Sequence, residues 1–223
     1  MIILFWDIDG TLLTTGKAGV PAWERAIKEV TGREFELTSI RIDGLSDYLI
    51  AVRVFEMLGI DPGLGPIQTL VHRYEEMLAL TLPLKKGRVL PNVREILEHY
   101  RDDPGVRSYL LTGNTRAGAA AKLTHYDLLE YFPDGAFAED TGDRPSIAAR
   151  ALDLARRAGP LDEERLYVIG DTPHDIHAAN AIAARTIAVA TGGFTSAELE
   201  AHRPWRVFVQ LPGVSEFGRL IGG

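Results

Sequence analysis

Phe5-Trp6-Asp7-Ile8-Asp9-Gly10-Thr11-Leu12 is the stretch on which the reading of this chain turns. It continues the apolar run Ile2-Ile3-Leu4, and together they have the length and residue types of a buried strand. Residues two apart on a strand point to the same side. Asp7 and Asp9 therefore meet where the strand ends. Two anions held together repel unless a cation, a proton or a ligand compensates them. An Asp-Gly pair alone also describes an ordinary turn. The rest of the chain decides between turn and site.

Working outward, four more short runs read as buried strands, at residues 107–111, 135–138, 166–169 and 186–190. Helical patterns fall between most of them. Val93, Ile96, Leu97 and Tyr100 share one face, as do Ile147, Ala151, Leu154 and Ala155. Alternating strands and helices predict a parallel sheet covered on both sides. Ligands of such sheets sit beyond the carboxyl ends of the strands. That rule brings residues 7–11, 112–114 and 170–175 to one edge.

Residues 15–88 break the alternation and read as helices only. Ile67, Leu70, Val71, Tyr74, Met77 and Leu78 make one apolar stripe. Ser46 is placed to cap a helix that runs to Leu58 and ends at Gly59. Asp61-Pro62-Gly63-Leu64-Gly65-Pro66 is a cluster of breakers. The expected division is an α/β core of residues 1–14 and 89–223, with residues 15–88 as an inserted helical domain hinged to close over the site. Residues 42–47 are expected to face the site, and Lys17, near the hinge, to offer a cation to an acidic substrate.

The 223 residues carry a formal charge of -7, 46% hydrophobic and 25% charged residues, and no cysteine. An acidic chain lacks the broad cationic face that nucleic acid needs. Without cysteine there is no disulfide and no thiolate chemistry, and a metal is left with oxygen and imidazole ligands. No apolar run approaches the ~20 residues that span a bilayer, and the opening run is too short for a signal peptide. Cytoplasmic location is the expectation.

Three further segments carry chemistry. Leu110-Leu111-Thr112-Gly113-Asn114 puts a hydroxyl and free backbone N–H groups at a strand end, suited to phosphate oxygens or, more plainly, to a helix cap at Asn114 or Thr115. Arg144-Pro145 opens a helix with a guanidinium, whose fork of donors matches a phosphate. Val168-Ile169-Gly170-Asp171-Thr172-Pro173-His174-Asp175 repeats the strand-end aspartate at Asp171; Thr172 and Asp175 also fit a capping box. Carboxylates converging on one edge suit a hard cation, most simply Mg2+. His174 and His177 read as surface residues. A nucleotide-triphosphate loop ending at Gly16-Lys17 fails on spacing, and Ala18 stands where a hydroxyl is required.

These segments resemble, in order and over nearly the whole chain, the haloacid dehalogenase superfamily, and within it the phosphatases with a helical cap. The resemblance implies a Rossmann-like core with the cap inserted after the first strand. It implies Asp7 as nucleophile forming an aspartyl-phosphate and Asp9 as acid and base. It implies Mg2+ held by Asp7, the Asp9 backbone carbonyl and Asp171, with Asp175 orienting that set. Thr112, Gly113, Asn114 and Arg144 would bind the phosphoryl group; the family usually places lysine where Arg144 stands. The dehalogenases lack an acid at the position of Asp9, which favours phosphate chemistry. The layout is similar to phosphoglycolate phosphatase, with a sugar-phosphate mutase or a non-catalytic phosphate binder as alternatives. The partner expected is a small phosphorylated metabolite, with no nucleic acid and no membrane, and the chain is expected as monomer or homodimer.

Overall fold

The computed structural model describes residues 1–222. The chain opens with strand β1 (Ile2–Trp6), then β2 (Leu13–Thr14) and three helices, α1 (Gly19–Thr31), α2 (Asp47–Met57) and α3 (Leu64–Thr81). Strand β3 (Arg88–Val89) returns it to an alternating run: α4 (Val93–Tyr100), β4 (Val106–Leu111), α5 (Arg116–His125), β5 (Gly135–Ala136), α6 (Arg144–Arg157), β6 (Leu166–Gly170), α7 (Pro173–Ala181) and β7 (Arg185–Val189). The described chain finishes with α8 (Ser196–Glu200), β8 (Arg206–Phe208) and α9 (Val214–Gly222).

Six strands form one parallel sheet in the order β5-β4-β1-β6-β7-β8. Alternation along β1 splits its side chains between two cores. Ile2, Leu4 and Trp6 face α4, α5 and α9, through Val93, Ile96, Leu123 and Phe217. Ile3 and Phe5 face α6 and α7, through Ile147, Ala151 and Ala178. Ile3, Leu4, Phe5 and Trp6 have no exposed surface. Burying such side chains contributes about 1.5–3 kcal/mol each, so β1 anchors the sheet. It also lies between β4 and β6, and the loops that follow all three strands meet at one edge.

The helices α1, α2 and α3 pack around a separate cluster built from Trp23, Ile27, Val54, Phe55, Leu70 and Leu78. All six residues of the predicted α3 stripe are buried there. Trp23 and Tyr74 stack within it, their ring centroids 4.0 Å apart and 9° from coplanar. Ser46 caps α2 by accepting the Leu49 N–H at 3.3 Å, and Gly59, at φ 66°, turns the chain at the other end. The antiparallel pair β2–β3 ties together the two chain segments that join this layer to the sheet.

Beyond shifts of a single residue at strand ends, the structure differs from the sequence reading as follows. The ribbon β2–β3 has two residues per strand, too few to leave a period. Strand β8 was not expected; it is a three-residue edge strand, partly exposed. Strand β5 ends at Ala136 rather than 138. Helix α3 begins at Leu64, inside the breaker cluster, because Pro66 falls in its first turn, where no backbone N–H is required.

Candidate active site

Asp7 is the first residue beyond β1, and its backbone N–H donates to the Ile169 carbonyl of β6 at 3.0 Å. Thr112 follows β4 and Asp171 follows β6. The sheet register thus sets a hydroxyl and two carboxylates around one point. Asp7, Asp171 and Asp175 each offer an oxygen within 4.8 Å of the others, and all three are buried. Gly10 turns the loop after β1 at φ 80°. Its missing side chain also matters, because a Cβ there would run into the Asp171 carboxylate.

Charge at this point is under strain. Burial pushes Asp7 up to about 7; Arg144 pulls it down, and Asp175 and Asp9 push it further up. Burial, then the charges of Asp7 and Asp175, hold Asp171 well above the usual carboxylate range. Arg144 Nη2 donates to Asp7 Oδ1 at 3.1 Å and also pairs with Asp175 Oδ1. The guanidinium is itself buried, yet the two carboxylates keep it protonated. One buried cation between three buried carboxylates leaves negative charge uncompensated. Hard oxygen donors so crowded fit a divalent cation such as Mg2+.

Asp175 serves two purposes at once. Its Oδ2 accepts the Thr172 N–H at 3.1 Å and the Thr172 hydroxyl at 2.8 Å, closing the capping box of α7. Its Oδ1 faces Arg144. Both oxygens are therefore engaged, which places Asp175 as a group that orients Arg144 and the α7 start rather than as a free ligand.

Asp9 points elsewhere. Its side chain is 44% exposed, and its Oδ2 accepts from Lys122 Nζ at 2.5 Å and from Asn114 Nδ2 at 2.9 Å. Asn114 also donates to Thr112 Oγ1 at 2.8 Å and accepts from Lys122 at 2.5 Å. Asn114 thus links the two candidate residues Asp9 and Thr112, while Thr115 takes the capping task, accepting the Gly118 N–H at 3.1 Å. Gly113 lies against Ser46 of the helical layer, with its carbonyl accepting the Asp47 N–H at 2.8 Å.

Lys122 escaped the sequence reading. It is buried, though it belongs to a type seldom buried without a partner. The signal was present: Lys122 shares the face of Ala119 and Leu123, the inward side of α5. Asp47 escaped in part. It was placed near the site, but its contact with the core was not foreseen: its Oδ2 accepts the Thr115 N–H at 2.8 Å. Burial pushes Asp47 up to about 7, with Lys122 and the Thr115 N–H pulling down and Asp9 and Glu75 pushing up. His177 is exposed as expected; His174 is half-buried, because Gly44 of the helical layer packs against its ring. No described helix is long and apolar enough to cross a membrane.

The sheet edge and the helical layer enclose a chamber of about 640 Å3. Asp7, Asp9, Gly113, Asn114, Arg144 and Asp171 line its floor, and Lys17, the residues 42–45 and Tyr74 line the opposite side.

A family profile for haloacid dehalogenase-like hydrolases matches residues 4–180. No curated protein sequence matches the chain. Solved structures match over almost its full length. A predicted phosphoglycolate phosphatase from Haemophilus somnus superposes with a TM-score of 0.76 at 16% identity, covering 99% of this chain and 97% of that one. CbbY from Rhodobacter sphaeroides, solved in complex with phosphate, gives 0.75 at 19% identity, covering 96% and 98%. A β-phosphoglucomutase candidate from Thermotoga maritima gives 0.64 at 20% identity, covering 100% and 99%. At these identities the likeness is one of fold.

Proposed function

The chain belongs to the haloacid dehalogenase-like hydrolases, and from that premise we propose that it is a Mg2+-dependent phosphatase acting on a small phosphomonoester through an aspartyl-phosphate. One observation carries the reading. A buried carboxylate, Asp7, sits at the floor of the chamber beside Arg144, and a second, part-exposed carboxylate, Asp9, stands two residues away. Nucleophilic attack needs the first; protonating an alkoxide needs the second.

In this reading a carboxylate oxygen of Asp7 attacks phosphorus, and the ester P–O bond breaks. Asp9 gives its proton to the leaving alkoxide. Asp9 then takes a proton from the water that attacks the aspartyl-phosphate, which releases phosphate and restores Asp7. Asn114 and Lys122 hold Asp9 in place for both transfers. Thr112, the backbone around Gly113 and the guanidinium of Arg144 supply donors to the phosphoryl oxygens. Asp7, Asp171 and the Asp9 backbone carbonyl would hold Mg2+, with Asp175 orienting the set. When bound, the ion supplies the positive charge that the carboxylates and the phosphoryl oxygens both lack.

The substrate in this reading is a small phosphorylated metabolite, and the likeness to the Haemophilus somnus structure puts phosphoglycolate among the candidates to be tested. The chain acts in the cytoplasm as monomer or homodimer, without a nucleic-acid or membrane partner. Helices α1–α3 form the cap domain, spanning residues 15–88. A mutase would use the same nucleophile, and the Thermotoga maritima likeness keeps it in view. The test is release of inorganic phosphate from a panel of monoesters with Mg2+ and without any bisphosphate activator. Wild type should release phosphate, and Asp7→Asn should retain less than about a hundredth of that rate. Turnover surviving in Asp7→Asn, or phosphate appearing only with an activator, refutes the phosphatase.

A further inference from the structure

The chamber is larger and greasier than the chemistry at its floor requires. Its 640 Å3 falls in the range that encloses a whole ligand, not a phosphoryl group alone. The helical layer supplies the opposite wall. Val20, Ile40, Ile42 and Leu45 line it and are only partly covered, and the stacked pair Trp23 and Tyr74 lines it with them. Among the described residues no arginine comes from this side, and Arg144, from α6, is the one arginine that lines the chamber.

The charges tell the same story. Among the described residues three cations line the chamber, Lys17, Lys122 and Arg144, against five aspartates. Lys122 is engaged by Asp9, and Arg144 by Asp7 and Asp175. Asp43, on the loop beside Ile42, pairs with Arg41 at 3.4 Å. Lys17 is the remaining lining cation without an ion-pair partner among the described residues, and it is exposed. A divalent cation at the floor would offset the excess of carboxylates once. A phosphoryl group would then take the donors that remain. A second anionic group on the substrate would find Lys17 as its cationic partner on this side, but that side chain is exposed, so the pairing is screened by water and offsets little of the cost of burying a charge among aspartates and aliphatic side chains.

We propose that the alcohol released with phosphate is uncharged and apolar, an aliphatic or aromatic alcohol held against Val20, Ile40, Ile42 and Leu45, and not a hydroxy acid or a bisphosphorylated sugar. This rests on the phosphatase reading and narrows it. It also turns away from phosphoglycolate, whose carboxylate would face this wall.

Calorimetry on the Mg2+-loaded protein with phosphonates tests the wall apart from turnover. Along the series from methyl- to pentylphosphonate, each added methylene should tighten binding by about fourfold, the value of burying one CH2. Phosphonopropionate, the unhydrolysable match for phosphoglycolate, should bind at least about tenfold more weakly than isoamylphosphonate of similar shape. Ile42→Asn should flatten the methylene series. A flat series in wild type, or phosphonopropionate binding more tightly than isoamylphosphonate, overturns the proposal. A steep series in a protein that releases no phosphate from any monoester sinks the phosphatase and leaves the preference for apolar ligands standing.

Discussion

Replacing Asp47 separates what a side chain does for the site from what it costs the fold. Asp47 begins α2 and is buried against the loop that follows β4. Its N–H donates to Gly113 and its Oδ2 accepts from Thr115, both at 2.8 Å, so the helical layer and the loop after β4 are clasped by one residue. Lys122, Asp9 and Glu75 are the charges that act on it, but burial is the largest influence and pushes its carboxyl up to about 7. The carboxyl is ordinary, near 3.8, when the chain is unfolded. A raised folded value means that the group's contribution is fully present below about 3.8 and is lost as the pH rises to about 7; above that it stays constant. Three pH units at 1.36 kcal/mol each set the loss on the order of 4 kcal/mol, an upper bound once relaxation is allowed.

Asp47→Asn keeps an acceptor for the Thr115 N–H and removes the titration. Guanidinium unfolding of wild type and variant between pH 4.5 and 8.5 reads the difference. The two should lie within about 1 kcal/mol of each other at the acid end. The variant should gain on wild type as the pH rises to about 7 and then keep a constant lead. Asp47→Ala instead leaves the Thr115 N–H without a partner, costing about 1–3 kcal/mol at the clasp, and should raise KM for the monoester while Asp47→Asn restores it. An Asp47→Asn variant less stable than wild type at pH 8, or a gap that does not change with pH, refutes the reasoning.

Asp9→Asn should lower kcat by about 10²- to 10⁴-fold, because the leaving group goes unprotonated; an aryl ester that needs no proton should suffer less, and equal losses on both esters would contradict the acid role. EDTA should abolish turnover and Mg2+ restore it, with Mg2+ also raising the Tm by relieving the crowded carboxylates; a Tm indifferent to Mg2+ contradicts the metal assignment. Arg144→Ala should cost about 3–5 kcal/mol in chemical denaturation, since it strips Asp7 and Asp175 of their buried partner, and unchanged stability would remove Arg144 from the clamp.

Much of the sheet was legible because its strands are short apolar runs bounded by polar turns. Asp7, Thr112 and Asp171 were legible for the same reason: each is the first residue past such a run, and parallel strands deliver those positions to one edge. The ribbon β2–β3 and strand β8 left no pattern to read, since two or three residues are held by pairing rather than by burial of one face. Lys122 and the clasp at Asp47 are products of tertiary packing. Lys122 lies 113 residues from Asp9 and Asp47 lies 68 from Thr115, and no local spacing joins either pair. The question left open at Asp175, cap or site residue, has a two-part answer in the structure, because a carboxylate has two oxygens and each takes one task.

That division at Asp175 bears on why an arginine stands where the family usually has lysine. A single nitrogen, Nη2, meets both Asp7 and Asp175. That is all an ammonium would accomplish there. The remaining fork is surplus to the clamp, and Arg144 Nε has no partner in the described structure. Arg144 also lines the chamber floor. The guanidinium can therefore bridge the two carboxylates from one end and present further donors in a fixed plane, which lysine cannot do. The cost of crowding aspartates at the sheet edge is thus met in part by the same group that the proposed reaction assigns to the phosphoryl oxygens. If the phosphatase reading holds, stability and phosphate recognition draw on the same cation, and a substitution at residue 144 disturbs both.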